Sequence, residues 1–235
     1  MTLLEVQGLN SYYGRAQILF DVTFSIREGE AVALLGRNGA GKSTTLRSLM
    51  GLMPRMEGRV ALAGTPIAGL ASHEIARLGL GYVPEDRRIF SELTVEENLE
   101  VGRQPPRPGA PAWDERRVFG LFPHLEPLRQ RVAGRMSGGE QQMLTIARTL
   151  MGNPRMILLD EPSEGLAPVI VEQMGHAIET LKREGLTVVL SEQNLHFATW
   201  VGDRALIIEK GRIRFDGTMA ALAADESTRQ AYLTV

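Results

Sequence analysis

The sequence predicts an α/β fold with a mainly parallel sheet, an N-terminal antiparallel β subdomain and an inserted helical subdomain. Three observations support this prediction. A glycine-rich segment at residues 36–43 joins an apolar run to a helix-like segment. Apolar residues have helical spacing from about residue 92 to 151, and after Pro154 short continuous apolar runs alternate with a helical segment. Such alternation is typical of a parallel sheet covered by helices.

Composition limits the possible functions. The chain has 235 residues, is 43% hydrophobic and carries a net charge of −2, so it can bury the core of one large domain or of a domain with an inserted lobe. The absence of a basic tract disfavours nucleic acid as a partner. The absence of cysteine excludes disulfides and thiolate metal sites and fits a reducing compartment. No apolar run approaches the ~18 residues of a membrane span, and residues 1–5 do not resemble the start of a secretion signal, so we expect a cytoplasmic protein.

The N-terminal part has the alternation of antiparallel strands. Residues 3–30 alternate loosely around a polar turn that contains Tyr12, Tyr13 and Gly14. An aromatic ring in such a turn can stack on a flat base or can simply pack. Further along, the sequence predicts a strand at 58–63, a short helix at 72–78 and a strand at 79–84.

A phosphate-binding loop follows the apolar run 31–35. It consists of Gly36, Arg37, Asn38, Gly39, Ala40, Gly41, Lys42 and Ser43, and a helix is predicted from Thr44 to residue 50. Glycines allow backbone N–H groups to turn around a polyphosphate, and the helix N-terminus adds partial positive charge. Lys42 can reach the β- and γ-phosphates, and the Ser43 hydroxyl can bind Mg²⁺. The pattern indicates a P-loop NTPase core.

The middle of the chain is predicted to be helical. Its helical spacing is interrupted at residues 104–111, where four prolines exclude helix and central strand. An exposed loop is the favoured interpretation, and a ligand for a proline-binding module is the alternative. We therefore predict a single domain, with residues 1–85 and 152–235 forming the nucleotide-binding core and β subdomain, and about 86–151 forming the helical subdomain.

The C-terminal part returns to an α/β pattern. The apolar runs 156–159 and 187–191 predict buried parallel strands. The segment 168–184 predicts a helix with Pro168 in its first turn. Residues 205–215 predict a hairpin, and the last fifteen residues predict short helices.

Two carboxylates end the strand at 156–159. Asp160 can hold Mg²⁺, which prefers oxygen ligands. Glu161 can orient or deprotonate the water that attacks the γ-phosphate. The alternative is that both acids only face solvent at the end of a strand.

A second glycine-containing helix start lies at Ser137, Gly138, Gly139 and Glu140. Ser137 and Glu140 form a capping box, but two glycines in the first turn cost about 1 kcal/mol each relative to alanine. This cost suggests that something approaches the backbone closely, and a helix N-terminus with a hydroxyl suits a phosphate. Since the phosphate loop already surrounds the chain's own nucleotide, we expect this stretch to face a nucleotide held by a second subunit.

The order and spacing of the phosphate loop, residues 137–141 and the Asp160–Glu161 pair resemble those of an ATP-binding cassette (ABC) ATPase over essentially the whole chain. Four shorter runs are similar to the ATP-binding subunits of bacterial branched-chain amino-acid importers, namely 83–90, 94–99, 161–168 and 192–194. Urea and short-amide importers use closely similar subunits.

The resemblance implies a head-to-tail dimer in which two ATP molecules lie between one subunit's phosphate loop and the other's Ser137 stretch. ATP closes the dimer, hydrolysis reopens it, and membrane-spanning permease subunits convert this cycle into transport. The second ABC ATPase subunit is more often a related chain than an identical one, and an extracytoplasmic solute-binding protein acts indirectly. The chain would then be peripheral on the inner face of the cell membrane.

The resemblance also implies roles for particular residues. Tyr13 matches the aromatic that stacks on adenine, with Tyr12 as the alternative. The region around 85–90 and the helical lobe would receive the permease subunits' cytoplasmic helices.

Three residues depart from the general ABC pattern. Glu85 replaces glutamine and can still offer oxygen to a metal or water, with an added charge. Gln193 replaces histidine; it can donate to the γ-phosphate but cannot become cationic. Ala167 replaces aspartate, so a polar contact across the dimer is in doubt. We expect Glu161, Gln193 and Lys42 to carry catalysis.

Two other functions compete with a transport ATPase. A soluble ABC ATPase of regulation or DNA repair usually carries long coiled coils, DNA-binding insertions or duplicated cassettes, and none is evident in this sequence. An assembly module with little hydrolysis is disfavoured because Glu161 is present.

Overall fold

The computed structural model describes residues 1–233. The N-terminal half contains β1 (Thr2–Tyr13), β2 (Ala16–Arg27), β3 (Ala31–Leu35), α1 (Lys42–Leu49), β4 (Arg55–Leu62), β5 (Thr65–Pro66), α2 (Ser72–Leu78), β6 (Leu80–Val83) and α3 (Val95–Gly102). The remainder contains α4 (Glu115–Leu121), α5 (Gly138–Met151), β7 (Met156–Asp160), α6 (Pro168–Arg183), β8 (Thr187–Glu192), α7 (Leu195–Val201), β9 (Arg204–Glu209), β10 (Arg212–Thr218), α8 (Met219–Ala224) and α9 (Glu226–Tyr232). Short 3₁₀ helices cover Pro123–Leu128 and Ala133–Arg135.

A six-stranded sheet forms the centre of the molecule. Its order is β10-β9-β3-β8-β7-β6, and every neighbouring pair is parallel except the β9–β10 hairpin. All residues of β3, β7 and β8 are buried, as continuous apolar runs in a doubly covered sheet require. This arrangement confirms the predicted parallel core and places the ends of β3, β7 and β8 at one edge.

A separate four-stranded antiparallel sheet has the order β2-β1-β4-β5. β1 pairs with β2 in a register that places Leu4 opposite Ile26 and Val6 opposite Phe24. These inward residues form one core with residues of β3 and α1. The predicted antiparallel β subdomain is therefore confirmed.

One strand is longer than the sequence predicts. β4 begins at Arg55 rather than at residue 58, because Gly58 adopts φ +108 and lies against Gly8, where an added Cβ would come within 2.5 Å of the Gly8 carbonyl oxygen. The register between β1 and β4 shifts at this point. Glycine is what allows a strand to continue through such an irregularity.

The middle segment is helical, as predicted, and residues 104–111 form a loop. Arg107 anchors this loop: its guanidinium donates to the carbonyl oxygens of Asn153 at 2.9 Å and Ala76 at 3.3 Å. The domain boundaries near residues 86 and 151 stay a prediction. The last fifteen residues include α9 and most of α8, while residues 234 and 235 lie outside the described part.

Within residues 1–233, no helix combines the length and the apolar composition needed to cross a membrane.

Candidate functional site

The glycine loop lies between β3 and α1, against the two sheets. A Cβ at Gly36 would lie 2.4 Å from the carbonyl oxygen of Ile208 in β9. Gly41 has φ +117, and a Cβ there would lie 3.0 Å from a methyl group of Leu19. Packing therefore requires glycine at both ends of the loop, independently of any ligand.

Lys42 is buried at the start of α1, with 4% of its surface exposed. Its amine donates to the carbonyl oxygens of Gly36 at 2.9 Å and Arg37 at 3.3 Å. It also pairs with Glu161 Oε1 at 3.1 Å. The two residues that the sequence assigned to phosphate binding and water activation are thus in direct contact.

Glu161 follows β7 in a left-handed conformation, with φ 48. Its backbone N–H donates to Ser191 Oγ at 3.0 Å, and Gln193 Nε2 donates to its Oε2 at 2.8 Å. Burial opposes ionisation, but hydrogen bonds from Glu164 and Gln193 and the Lys42 ammonium hold the pKa of Glu161 below its usual value. Glu161 is therefore an ionised carboxylate that can accept a proton or orient a water.

Asp160 is fully buried at the end of β7. Its two oxygens accept hydrogen bonds from Ser191 Oγ at 2.7 Å and from the Tyr82 hydroxyl at 3.1 Å. Both bonds fix the orientation of the carboxylate and leave oxygen lone pairs for a cation.

The oxygen donors fit Mg²⁺ bound together with a phosphate. Ser43 and Glu85 line the same cavity as Lys42, and Asp160 ends β7 directly before Glu161. Among the residues that the structure describes, no group of three or more His, Asp or Glu side chains is arranged to hold a metal. Mg²⁺ commonly binds through one or two carboxylates plus substrate phosphates, so Ser43, Glu85 and Asp160 suit such a shared site.

A cavity of about 470 Å³ lies over the glycine loop. It is lined by Tyr13, Ile18, Asn38, Gly39, Gly41, Lys42, Ser43, Thr44, Glu85, Glu161 and Glu164. The other predicted loop residues, Gly36, Arg37 and Ala40, do not line the cavity, and Gln193 contacts the lining residue Glu161. The structure therefore brings most of the predicted nucleotide-binding residues together.

The two tyrosines of the β1–β2 turn have different surroundings. Tyr13 lines the cavity and is 42% exposed, and its hydroxyl accepts a 3.4 Å hydrogen bond from Arg47. Tyr12 instead lies under the Arg55 guanidinium, 4.3 Å from its ring centroid. Of the two, Tyr13 is the one that lines the cavity, and its stacking on a base stays a prediction.

Glu164 is a cavity residue that the sequence reasoning missed. A hydrogen bond with Glu161, partial burial and the charges of Glu161, Glu85 and Glu192 raise the pKa of Glu164 to about 7. A protonated Glu164 donates to the ionised Glu161, as expected for neighbouring carboxyl groups. The sequence signal that could have identified Glu164 is a third acidic residue shortly after Asp160 and Glu161.

The Ser137 stretch lies apart from this cavity. Ser137 is exposed and forms the predicted capping box: its Oγ accepts from the Glu140 N–H at 3.3 Å, and Glu140 Oε2 accepts from the Ser137 N–H at 2.7 Å. Contacts within the chain explain why glycine occupies positions 138 and 139, and the sequence did not show these contacts. A Cβ at Gly139 would lie 2.8 Å from Ile170, and one at Gly138 would lie 2.6 Å from Arg87 Nη1.

The sequence matches the ABC transporter family over residues 19–164. Over 98% of its length it is 46% identical to the high-affinity branched-chain amino acid transport ATP-binding protein BraG of Pseudomonas aeruginosa, of which it covers 99%. Over 99% of its length it is 35% identical to the lipopolysaccharide export system ATP-binding protein LptB of Escherichia coli K12, of which it covers 98%.

A solved structure described as the ATP binding subunit of an ABC transporter superposes with a TM-score of 0.83 at 32% identity, covering 98% of this chain and 96% of that one. Sequence and fold thus both match ABC ATPase subunits over nearly the whole chain. The chain belongs to the ABC transporter family and is an ATP-hydrolysing cassette most like those of branched-chain amino-acid transport.

Proposed function

We propose that this chain is the ATPase subunit of an importer for branched-chain amino acids or for related small polar solutes such as urea and short amides. Similarity to BraG at 46% identity supports this assignment over the lipopolysaccharide export represented by LptB at 35%. The importer-like runs at 83–90 and 161–168 support it as well.

The observation that carries the proposal is that Glu161, which lines the cavity, contacts both Lys42 and Gln193. Lys42 exchanges its ion pair with Glu161 for the β- and γ-phosphates of ATP, because phosphates carry more charge than one carboxylate. This exchange frees Glu161 Oε1 to accept a proton from the attacking water, while the Gln193 amide donates to Glu161 or to the γ-phosphate. Mg²⁺, held by Ser43, Glu85 and Asp160, would neutralise phosphate charge when bound.

A second cassette subunit completes the site in this proposal. Ser137 is exposed and lies outside the cavity of its own chain, so its free hydroxyl hydrogen and the α5 N-terminus are available to a nucleotide held elsewhere. A related cassette is favoured as the partner, and a second copy of this chain is the alternative.

The permease subunits have a candidate docking groove of about 550 Å³ between the central sheet and the helical segment. Three of its residues, Leu52, Phe90 and Val101, are 44–54% exposed apolar side chains. Its charged residues are basic: Arg77, Arg107 and Arg148 line it together with His73, and no acidic residue does. We infer that a permease helix with apolar and acidic side chains binds there, which places the chain on the inner face of the cell membrane and links it indirectly to a solute-binding protein.

Catalysis is tested with Glu161→Gln. Removing the base that accepts the proton should lower steady-state ATPase about 100-fold or more, and MgATP should convert the variant to a dimer in size-exclusion chromatography. Glu172→Gln, an exposed glutamate in α6, is the matched control and should retain wild-type ATPase. Equal rates for Glu161→Gln and the wild type would refute the catalytic assignment.

Docking is tested with Val101→Glu, which places a carboxylate opposite the acidic side chains of the permease helix, against Val101→Leu, which keeps the position apolar. We expect the glutamate variant to co-purify at least about 10-fold less with membranes that contain the importer's permease subunits, since one buried like-charge contact across the interface costs at least about 1.4 kcal/mol. Thermal unfolding checks that both variants fold. Equal recovery of the two variants would exclude this groove as the docking site.

A further inference from the structure

Arg87 lies against the first turn of α5. A Cβ at Gly138 would come within 2.6 Å of Arg87 Nη1, 3.2 Å of Cζ and 3.3 Å of Nη2. The whole guanidinium group therefore covers the backbone of the residue that follows Ser137. Glycine at position 138 leaves the space that this arrangement needs.

The charge of Arg87 has no partner within residues 1–233. No hydrogen bond or ion pair of its guanidinium is present there, although the side chain is half-buried. The neighbouring Asp86 binds Arg88 Nε at 2.9 Å, and Glu140 in the first turn of α5 binds the Ser137 N–H at 2.7 Å. A guanidinium offers five donors, and none of those of Arg87 is engaged among residues 1–233, although the group lies against Gly138, the residue after Ser137.

The backbone holds this arginine in place at some cost. Arg87 and Arg88 both have positive φ, 61 and 51, which is uncommon for non-glycine residues and strains the backbone. The Arg87 N–H donates to the Pro84 carbonyl oxygen at 3.1 Å and closes the turn. The N-terminal end of α5 carries partial positive charge, which disfavours an adjacent cation unless an anion lies between them.

We propose that Arg87 binds the triphosphate held by the partner subunit, next to Ser137. A guanidinium can donate two parallel hydrogen bonds to phosphate oxygens, and such an anion neutralises both Arg87 and the α5 N-terminus. This inference rests on the proposed dimer. It adds a phosphate-binding residue, Arg87, that is supplied by the chain opposite Lys42.

The first experiment measures ATP-dependent dimerisation in the Glu161→Gln background. Adding Arg87→Ala should raise the protein concentration for half-maximal dimer at least about 10-fold, because a charge-assisted contact to phosphate is lost. The affinity of the single chain for a fluorescent ATP analogue, measured in dilute protein, should stay within about 2-fold, since Lys42 and its loop are unchanged. Arg87→Lys should lie between the two. Arg59→Ala, which removes an exposed and unpaired arginine from β4, controls for the change in net charge.

The second experiment asks whether Arg87 acts across the dimer. Arg87→Ala and Lys42→Ala should each lose ATPase alone, and mixing them should restore part of it, because one site of the mixed dimer combines an intact loop with an intact Arg87. Absence of recovery would show that Arg87 acts within its own chain and would overturn the inference. If Glu161→Gln itself fails to dimerise with ATP, the pairing of two copies of this chain and this inference both fail. If it dimerises equally well without Arg87, only the inference fails.

Discussion

The chain contains two helices that start at glycines, and their surroundings are opposite. At α1, the Lys42 ammonium is buried and is paired with Glu161 and two carbonyl oxygens. At α5, Ser137 is exposed and the Arg87 guanidinium has no partner among residues 1–233. The Lys42 ammonium at the first helix start is paired within the chain, whereas the Arg87 guanidinium at the second is unpaired among residues 1–233.

The two helix starts are also fixed by different parts of the fold. The loop before α1 packs on β9 and β2 through Gly36 and Gly41, so both sheets hold it. The start of α5 packs through Gly139 on Ile170 of α6. α6 follows the segment that begins at Glu161. The contact with Ile170 therefore joins the residue that we propose activates water to the surface that we propose faces a partner.

The largest effect on the difference between the two helix starts is expected from a change at Lys42. Lys42→Ala removes the cation of the complete site, so we expect affinity for ATP to fall about 100-fold or more and ATPase to be lost. Isothermal titration calorimetry with MgATP in the single chain measures this effect.

The change at Lys42 also leaves Glu161 without its buried counter-charge, so folding must be checked by thermal unfolding. Lys42→Arg keeps the charge but changes its shape, and should recover part of the affinity. Wild-type ATP affinity in Lys42→Ala would show that the glycine loop is not the nucleotide site.

Local sequence patterns predicted the first helix start and much of the fold. Period-two alternation identified β1 and β2, and continuous apolar runs identified β3, β7 and β8, because burial on one or both faces determines which residues those strands carry. The order of strands in the central sheet did not follow from these patterns, since pairing between distant segments leaves no local signal.

Side-chain contacts between distant segments were hidden for the same reason. The sequence placed Arg87 in a run expected to receive a permease helix, and nothing in that run showed its contact with Gly138. The sequence also explained Gly138 and Gly139 by a ligand, whereas the structure shows Arg87 and Ile170 in those positions. The raised pKa of Glu164 likewise depends on its folded position beside Glu161.

The smaller effect is expected at the second helix start, with Ser137→Asn. Asparagine caps a helix about as well as serine, so thermal stability should change by less than about 0.5 kcal/mol. Its amide nitrogen cannot occupy the position of the serine hydroxyl, so ATPase of the dimer should fall about 10-fold while ATP affinity of the single chain is kept. Lys42→Ala should remove ATP binding to the single chain, whereas Ser137→Asn should lower only the ATPase of the assembled dimer. A loss of single-chain ATP affinity in Ser137→Asn would contradict this division, because it would place both helix starts in the same chain's site.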